Sequence, residues 1–395
     1  MVEWKKLGDL GSFENIGVDK KIVDGEQLVT LLNYVDVYHN KNIDSSIPQM
    51  QVSAPEKKIQ ACTVEQGDIF VTPTSETIDD IGHSSIITET IPHAVYSYHI
   101  MRYRLFEKNM LLSYYINYTF DTYNIKQQIL KKAQGLTRFG LSKDKFASIL
   151  IPIPSLSEQQ RIVSILDTFT SSISNLKQQI EERRKQYEYE RDLLLDLEGK
   201  EGVEMKKLGD CVLLITDGDH QPPPKSSKGI PFVTISDIEK LSHTIDFSNT
   251  FFVPQEYYNS LKTDKKAKKG DVLYTVTGSF GIPVLIEDNR EFCFQRHIAL
   301  IRPNNTIALS RYIYHWLCSN YAKKQGEEKA SGGAQKTVSL NSLRSFHFYY
   351  PSLQAQSRIV SILDTFEQSI ANLEEQLAMR EKQYEYYRNQ LLTFE

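Results

Sequence analysis

The chain carries one stretch of itself twice. Ser155-Leu-Ser-Glu-Gln-Gln-Arg-Ile-Val-Ser-Ile-Leu-Asp-Thr-Phe169 returns as Ser352-Leu-Gln-Ala-Gln-Ser-Arg-Ile-Val-Ser-Ile-Leu-Asp-Thr-Phe366, and Lys185-Gln-Tyr-Glu-Tyr189 returns as Lys382-Gln-Tyr-Glu-Tyr386. About 28 of the 45 positions between Pro154 and Glu198 match those between Pro351 and Glu395. A repeat spaced by roughly 200 residues is too long for a solenoid and marks a duplicated pair of domains. A second echo opens each copy, Val2-Glu-Trp-Lys-Lys-Leu-Gly-Asp9 against Val203-Glu-Met-Lys-Lys-Leu-Gly-Asp210. Between these anchors the copies have diverged almost completely. The chain therefore divides into a variable region (1–154), a repeated segment (155–200), a second variable region (201–351) and a second repeated segment (352–395).

Each repeated segment reads as one long helix. Ile162, Leu166, Phe169, Ile173, Leu176 and Ile180 are spaced alternately by four and three, and the phase continues through Arg183, Tyr187 and Leu194. Ile359, Leu363, Phe366, Ile370, Leu373, Leu377, Arg380, Tyr384 and Leu391 repeat it, so both segments present a heptad seam. Ser157 with Gln160 predicts a capping-box start, whereas Gln354 and Ser357 predict a weaker cap in the second copy. A helix of about 40 residues is ~60 Å long. If a pseudo-twofold relates the copies, the helices run antiparallel with a globular domain at each end. An unpaired seam of that length would be a large exposed apolar patch.

The variable regions read as mixed α/β. Phe232–Ser236, Val272–Thr277 and Ile298–Arg302 are β-rich runs, followed by a helix over Ser310–Lys324. Region one offers Asp68–Thr74, Val95–Leu105 and a helix over Met110–Lys132, with Gly67-Asp68 matching Gly270-Asp271 as a tight turn into a strand. The fold class is thus α+β: two mixed α/β domains and a pair of long antiparallel helices in a pseudo-twofold repeat.

Composition narrows the chemistry. No run approaches the ~20 apolar residues of a membrane span, and the start lacks an apolar signal core, so a cytoplasmic protein is expected. Cys62, Cys211, Cys293 and Cys318 show no C-x-x-C spacing, which points to free thiols rather than zinc or disulfides. There is no phosphate-binding G-x-x-x-x-G-K-[ST] loop and no Asn/Asp-Pro-Pro-Tyr/Phe motif; the Pro-Pro run in His220-Gln-Pro-Pro-Pro224 lacks both amide and aromatic at the required places. Glu56-Lys57-Lys58 matches an acid-x-Lys pattern that is common by chance. Net charge is −4, with 16 basic against 18 acidic side chains in residues 1–154 and 19 against 16 in residues 201–351. Any nucleic-acid affinity of the chain alone is therefore weak, because phosphate neutralisation supplies most of it.

The order Lys-Lys-Leu-Gly-Asp, variable region, Gly-Asp turn and strand, helix, Pro-Ser-Leu, then Gln-x-x-Arg-Ile-Val-x-Ile-Leu-Asp helix, written twice, resembles the DNA specificity subunit of type I restriction-modification systems. Asp217-Gly-Asp-His-Gln-Pro-Pro-Pro-Lys225 with Gly229-Ile-Pro-Phe-Val233 adds to the likeness. The resemblance covers essentially the whole chain. It implies two target-recognition domains, each reading half of a split site in double-stranded DNA and held apart by the helices. It also implies a noncatalytic subunit without a cofactor of its own. Methyltransferase subunits binding S-adenosylmethionine and a restriction/translocase subunit using ATP and Mg would do the chemistry, with two methyltransferases docking on the repeated segments. The alternative is a coiled-coil scaffold whose end domains bind protein.

Candidate DNA contacts lie in loops. Arg138, with Gln134 and Thr137, aligns with Gln335 and Lys336 when counted back from Pro154 and Pro351; Arg reads guanine and Gln adenine by bidentate bonds in the major groove. Thr72, Thr74 and Ser75, with Thr277, Ser279 and Phe280, follow the shared Gly-Asp turn. His220, Gln221, Lys225 and Lys228 form a stiffened polar loop, and Lys262, Lys265, Lys266, Lys268 and Lys269 are candidates for phosphate. For the helix seam and subunit docking the candidates are Arg161, Ile162, Leu166, Phe169 and Leu176, with Arg358, Ile359, Leu363, Phe366 and Leu373. His83, His93, His99, His297, His315 and His347 read as isolated residues, and no metal site is expected.

Overall fold

Two helices of nearly equal length carry the repeat, Leu156–Leu195 and Leu353–Leu391. The first starts two residues earlier than the Ser157 box predicts: Ser155 Oγ accepts from the Glu158 N–H at 3.4 Å. Ser352 Oγ accepts from Ala355 N–H at 3.3 Å, so the second cap matches the first. In both copies a glutamine in the first turn, Gln159 or Gln356, donates back to the preceding proline carbonyl at 2.9 Å. The structure, a computed structural model, describes residues 2–220, 222–333 and 335–394. It divides into two compact units whose boundary falls inside the helices: residues 1–176 with 376–395, and residues 177–375.

In the first unit a sheet orders Gly11–Glu14, Met101–Leu105, Ile69–Val71, Ser84–Ile87 and Asn42–Ile43, and a second orders Met50–Ala54, Gln27–Leu32 and Ala94–Tyr96. Glu3–Lys6 pairs antiparallel with Leu150–Ile153 and closes the domain. The second unit repeats the plan. Val212–Asp217, Ile298–Pro303, Val272–Thr275 and Pro283–Leu285 form one sheet; Phe251–Val253, Ile230–Val233 and Cys293–Phe294 form the other; Glu204–Lys207 closes on His347–Tyr350. In both units the second sheet contains one parallel pair, Gln27–Leu32 with Ala94–Tyr96 and Ile230–Val233 with Cys293–Phe294.

The structure corrects two element boundaries. The single helix expected over Met110–Lys132 is two, Met110–Thr119 and Tyr123–Lys132, and that over Ser310–Lys324 is Ser310–Cys318 and Asn320–Lys329. Thr122 and Ser319 cause the break, each capping the following helix through its hydroxyl. The run Val95–Leu105 is also split: Ala94–Tyr96 and Met101–Leu105 lie in different sheets, joined by a turn in which Ile100 N–H bonds the Ser97 carbonyl at 3.1 Å.

Packing within each unit explains why the buried apolar positions of the repeat survived. In the first, Ile162 and Leu166 are fully buried in the domain core, together with Leu392 from the end of the second helix. Phe169 stacks on Tyr387 at 5.4 Å and meets Tyr384 at 6.5 Å, with Arg380 over its ring. In the second unit Ile359 and Leu363 share a core with Leu195, Phe366 meets Tyr187 at 6.5 Å, and Arg183 lies over the Phe366 ring. In each unit rising numbers in one helix meet falling numbers in the other, so the segments run antiparallel. The expectation that Ile162, Leu166, Ile359 and Leu363 are docking residues for an outside subunit is thereby corrected: they face their own domain. Leu176 and Leu373 are half-buried, and Arg161 and Arg358 are exposed.

Glycine is required at the turn into the central strand. Gly67 and Gly270 have φ of +89° and +90°, a conformation costly for residues with a Cβ. The aspartates that follow, Asp68 and Asp271, are buried and paired with Arg104 and Arg302. Burial pushes the Asp68 carboxyl above its usual range, and the Arg104 bonds offset only part of this.

Candidate nucleic-acid interface

The loop after Tyr123–Lys132 is a short hairpin. Gln134 and Gly140 exchange backbone hydrogen bonds at 3.0 and 2.8 Å, and Phe139–Gly140 pairs antiparallel with Thr74–Ser75. The second domain forms the same hairpin 197 residues on. Ser331 and Thr337 exchange bonds at 2.9 and 2.8 Å, and Thr337 bridges to Thr277. Both hairpins wind tightly at a glycine that a side chain would break: a Cβ on Gly135 would stand 1.9 Å from the Arg138 carbonyl oxygen, and one on Gly332 2.6 Å from that of Gln335.

These hairpins bring together residues far apart in sequence. Arg138 Nη2 lies 3.4 Å from Thr74 Oγ1, and the Gln335 amide lies against Gly278. Gln134, Thr137, Arg138, Gln335 and Lys336 are exposed, Thr74 and Ser75 half-buried, and Ser279 exposed. Three of the expected contacts are corrected. Thr72 is fully buried, its hydroxyl donating to the Asp80 carbonyl and accepting from His83 N–H. Thr277 is 5% exposed, and its hydroxyl accepts from Thr337. Phe280 packs on the second domain's core.

The remaining loop is partly structural. His220 Nε2 sits 2.8 Å from Asp217 Oδ2, Lys225 lies over the Phe251 ring at 5.1 Å, and Lys228 is exposed. Gln221 lies outside the described residues. Lys265 donates to the Gly218 carbonyl and Lys266 lies over Tyr258, so two of the five lysines proposed for phosphate serve the fold; Lys262, Lys268 and Lys269 are exposed.

Sequence reading missed several residues in each domain. Tyr34 stands by Ser75, while Lys20 and Arg138 act electrostatically on His99. Arg296 and His220 act on His297. Leu136, at the tip of the first hairpin, is 96% exposed, and Gly333 stands at its place in the second. The pairing of Tyr98-His99-Ile100 with Arg296-His297-Ile298 was legible once the Arg104/Arg302 match is used as an anchor.

His315 is likewise not isolated. Its Nε2 lies 2.8 Å from Asp364 Oδ1 and its Nδ1 3.0 Å from the Tyr187 hydroxyl. Arg311 binds both Asp364 and Glu367, at 2.8 and 2.9 Å. His315, Asp364 and Glu367 are close enough to chelate a cation. The Arg311 guanidinium already bonds both carboxylates, so the group is an ion-pair network joining helix Leu353–Leu391 to the second domain. Burial acts to raise the Asp364 carboxyl, yet its His315 and Arg311 bonds hold it below the usual carboxylate range. Of the cysteines, Cys62, Cys211 and Cys293 are buried free thiols, and Cys318 Sγ meets His243 Nδ1 at 3.2 Å.

The family model and the curated relatives agree on the family, and a solved structure shares the fold. A putative type I restriction enzyme specificity subunit of Haemophilus influenzae is 33% identical over 273 residues, covering 66% of this chain and 68% of the relative. The EcoR124I/EcoR124II specificity subunit of Escherichia coli is 30% identical, covering 62% and 63%. The S subunit of a type I restriction-modification system from M. genitalium superposes with a TM-score of 0.57 at 13% identity, over 100% of this chain and 97% of the other. The family model for the type I restriction modification DNA specificity domain matches twice, over residues 1–183 and 200–379, each match holding one of the hairpins and most of one long helix. The chain belongs to the type I restriction modification DNA specificity family.

Proposed function

We propose that this chain is the noncatalytic subunit that reads a bipartite sequence in double-stranded DNA and presents it to methyltransferase and restriction subunits. The observation that carries the reading is the pair of matched hairpins. The same backbone, held by the same hydrogen bonds, offers Arg138 in one domain and Gln335 in the other. A two-stranded ribbon fits the major groove, where these side chains favour guanine and adenine. Substrate chemistry then belongs to the partners, which bring S-adenosylmethionine, ATP and Mg, while this chain brings no cofactor. The setting is cytoplasmic DNA; among the described residues no helix is long and apolar enough to cross a membrane.

Two methyltransferase subunits fit the repeat. Packing accounts for the retained Ile162, Leu166, Ile359 and Leu363, but not for the retained exposed Arg161, Ser164 and Thr168 and their equivalents Arg358, Ser361 and Thr365. Two equal exposed faces support two equal docking events, and native mass measurement at saturation is expected to find two methyltransferases per chain. The readout itself is tested by Arg138→Ala and Gln335→Ala in the assembled complex, on a panel of single-base variants of the target. Each loss is expected at one base pair of one half-site, ~1–3 kcal/mol in size. A uniform loss over the panel makes them backbone contacts, and no loss returns the hairpins to solvent-facing connectors.

A further inference from the structure

The two recognition domains differ in nearly every exposed side chain, and the polar residues they share mostly have work inside the fold. Arg104 and Arg302 hold Asp68 and Asp271. Tyr115 and Tyr312 donate to the Pro152 and Tyr349 carbonyls at 2.8 Å. Gln128 and Gln325 tie the second helix of each pair to the closing strand through Leu150 and His347. His99 and His297 are different. They occupy the same position in the turn that leads into the central sheet, where Ile100 N–H bonds Ser97 O and Ile298 N–H bonds Gln295 O, both at 3.1 Å. Both are half-buried, and among the described residues neither imidazole has a hydrogen-bond partner.

Resting on the DNA-recognition reading, we propose that His99 and His297 are a shared backbone anchor, each imidazole N–H donating to a phosphate oxygen beside the half-site read by its own domain. The surroundings favour an anion. Lys20 and Arg138 stand near His99, and Arg296 stands beside His297. Asp19 also faces His99, and Tyr98 covers one side of its ring at 4.0 Å between centroids, which leaves the imidazole edge as its polar outlet. Burial first, then Lys20 and Arg138 for His99 and Arg296 for His297, hold both imidazoles below the ordinary histidine range, so each enters the complex neutral, with one N–H to give.

Identity at this position also bears on what is read. Two domains that recognise different half-sites cannot discriminate bases with the same side chain in the same place, so a retained contact belongs to the part of DNA that does not vary. The diverged neighbours, Tyr98 against Arg296 and Arg138 against Gln335, are then the ones left to specify bases. The division is phosphate anchors in common and base readers apart.

The test is a methylphosphonate scan, in which one phosphate at a time is neutralised across both half-sites, with affinity measured for the full chain assembled with its methyltransferase subunits. Wild type is expected to lose roughly tenfold at one linkage in each half-site, the scale of a hydrogen bond to a charged group. His99→Ala removes the penalty only in the half-site of the first domain and His297→Ala only in the other, while each variant weakens all single-base variants equally. His99→Gln, which keeps an N–H, recovers part of the affinity. The inference is overturned if the variants and the methylphosphonates act additively at every linkage, if the loss falls on one base pair, or if there is no loss. If wild type itself prefers no sequence, the DNA-recognition reading has failed; if it prefers one and the histidine variants match it, only the anchor has.

Discussion

The clearest lesson comes from one position solved twice. In the first unit the segment after the parallel-paired strand begins with Asn33, whose box with Asp36 caps the next turn, and then sends Lys41 against Asp121 at 2.7 Å. In the second unit Thr234 and Asp237 form the same box, and the segment sends His243 against Cys318. Asp121 and Cys318 are equivalent, as are Arg388 and Arg191, which lie beside the two contacts. An ion pair in one domain is thus a thiol and a neutral imidazole in the other. Burial lowers Lys41, with Asp121 opposing, whereas burial and then Arg191 push His243 down to about 4. The fold needs the clasp filled and its polar atoms partnered; it does not need one chemistry.

The same holds where the helices meet their domains. Asp167 accepts from Tyr118, and its equivalent Asp364 accepts from His315 and Arg311. Three tests separate the two units, in falling order of effect. Leu166→Asp and Leu363→Asp each bury a charge at a site with no exposure, which costs on the order of 3–5 kcal/mol. Each is expected to melt its own unit first, giving two calorimetric transitions; one cooperative transition for either variant would show that the units do not fold separately. Next, Asp364→Ala strips Arg311 and the buried His315 of their shared carboxylate, while Asp167→Ala takes a single partner from Tyr118. Urea titration should find the first costing ~3 kcal/mol and the second nearer 1, and equal costs would refute the inequality of the two joints.

The third test is pH. His243 is depressed in the folded chain, so its contribution is whole above the unfolded value near 6.5 and is lost as pH falls toward about 4. Partial exposure limits this to on the order of 2 kcal/mol. The groups facing the imidazole are Arg191, the Cys318 thiol and the Tyr314 ring, and burial pushes the thiol and the phenol up, away from that window. Hydrogen exchange should show residues 238–246 opening between pH 6.5 and 4.5 in wild type and not in His243→Asn. The Lys41 side of the comparison should stay closed over the same range.

How much of this was legible beforehand depends on the range of the signal. The period of the heptads, the Gly-Asp turns and the 197-residue offset are local or self-referential patterns, and they place the long helices, the turns and the matched loops carrying Arg138 and Gln335; that these loops are hairpins came from the structure. What failed was anything decided by burial from a distance. Thr72 and Thr74 are two residues apart on a polar run, and nothing local says that one is sealed under His83 while the other pairs with Gly140. Ile162 and Leu166 obey the seam's period equally well whether they face a helix or a domain. His315 reads as a lone histidine because Asp364 and Tyr187 are 49 and 128 residues away.

The sequence by itself determined the architecture, because a duplication fixes two of everything and a heptad fixes the helices, both through periodicities that depend only on backbone geometry. The tertiary structure decided the occupants: which threonine faces out, which leucines serve a domain rather than a partner, and whether a clasp is Lys41 with Asp121 or His243 with Cys318. The physical reason is that backbone hydrogen bonding and periodic burial are written along the chain, whereas the partner of a buried polar atom is chosen by whatever the fold brings within 3 Å or so of it.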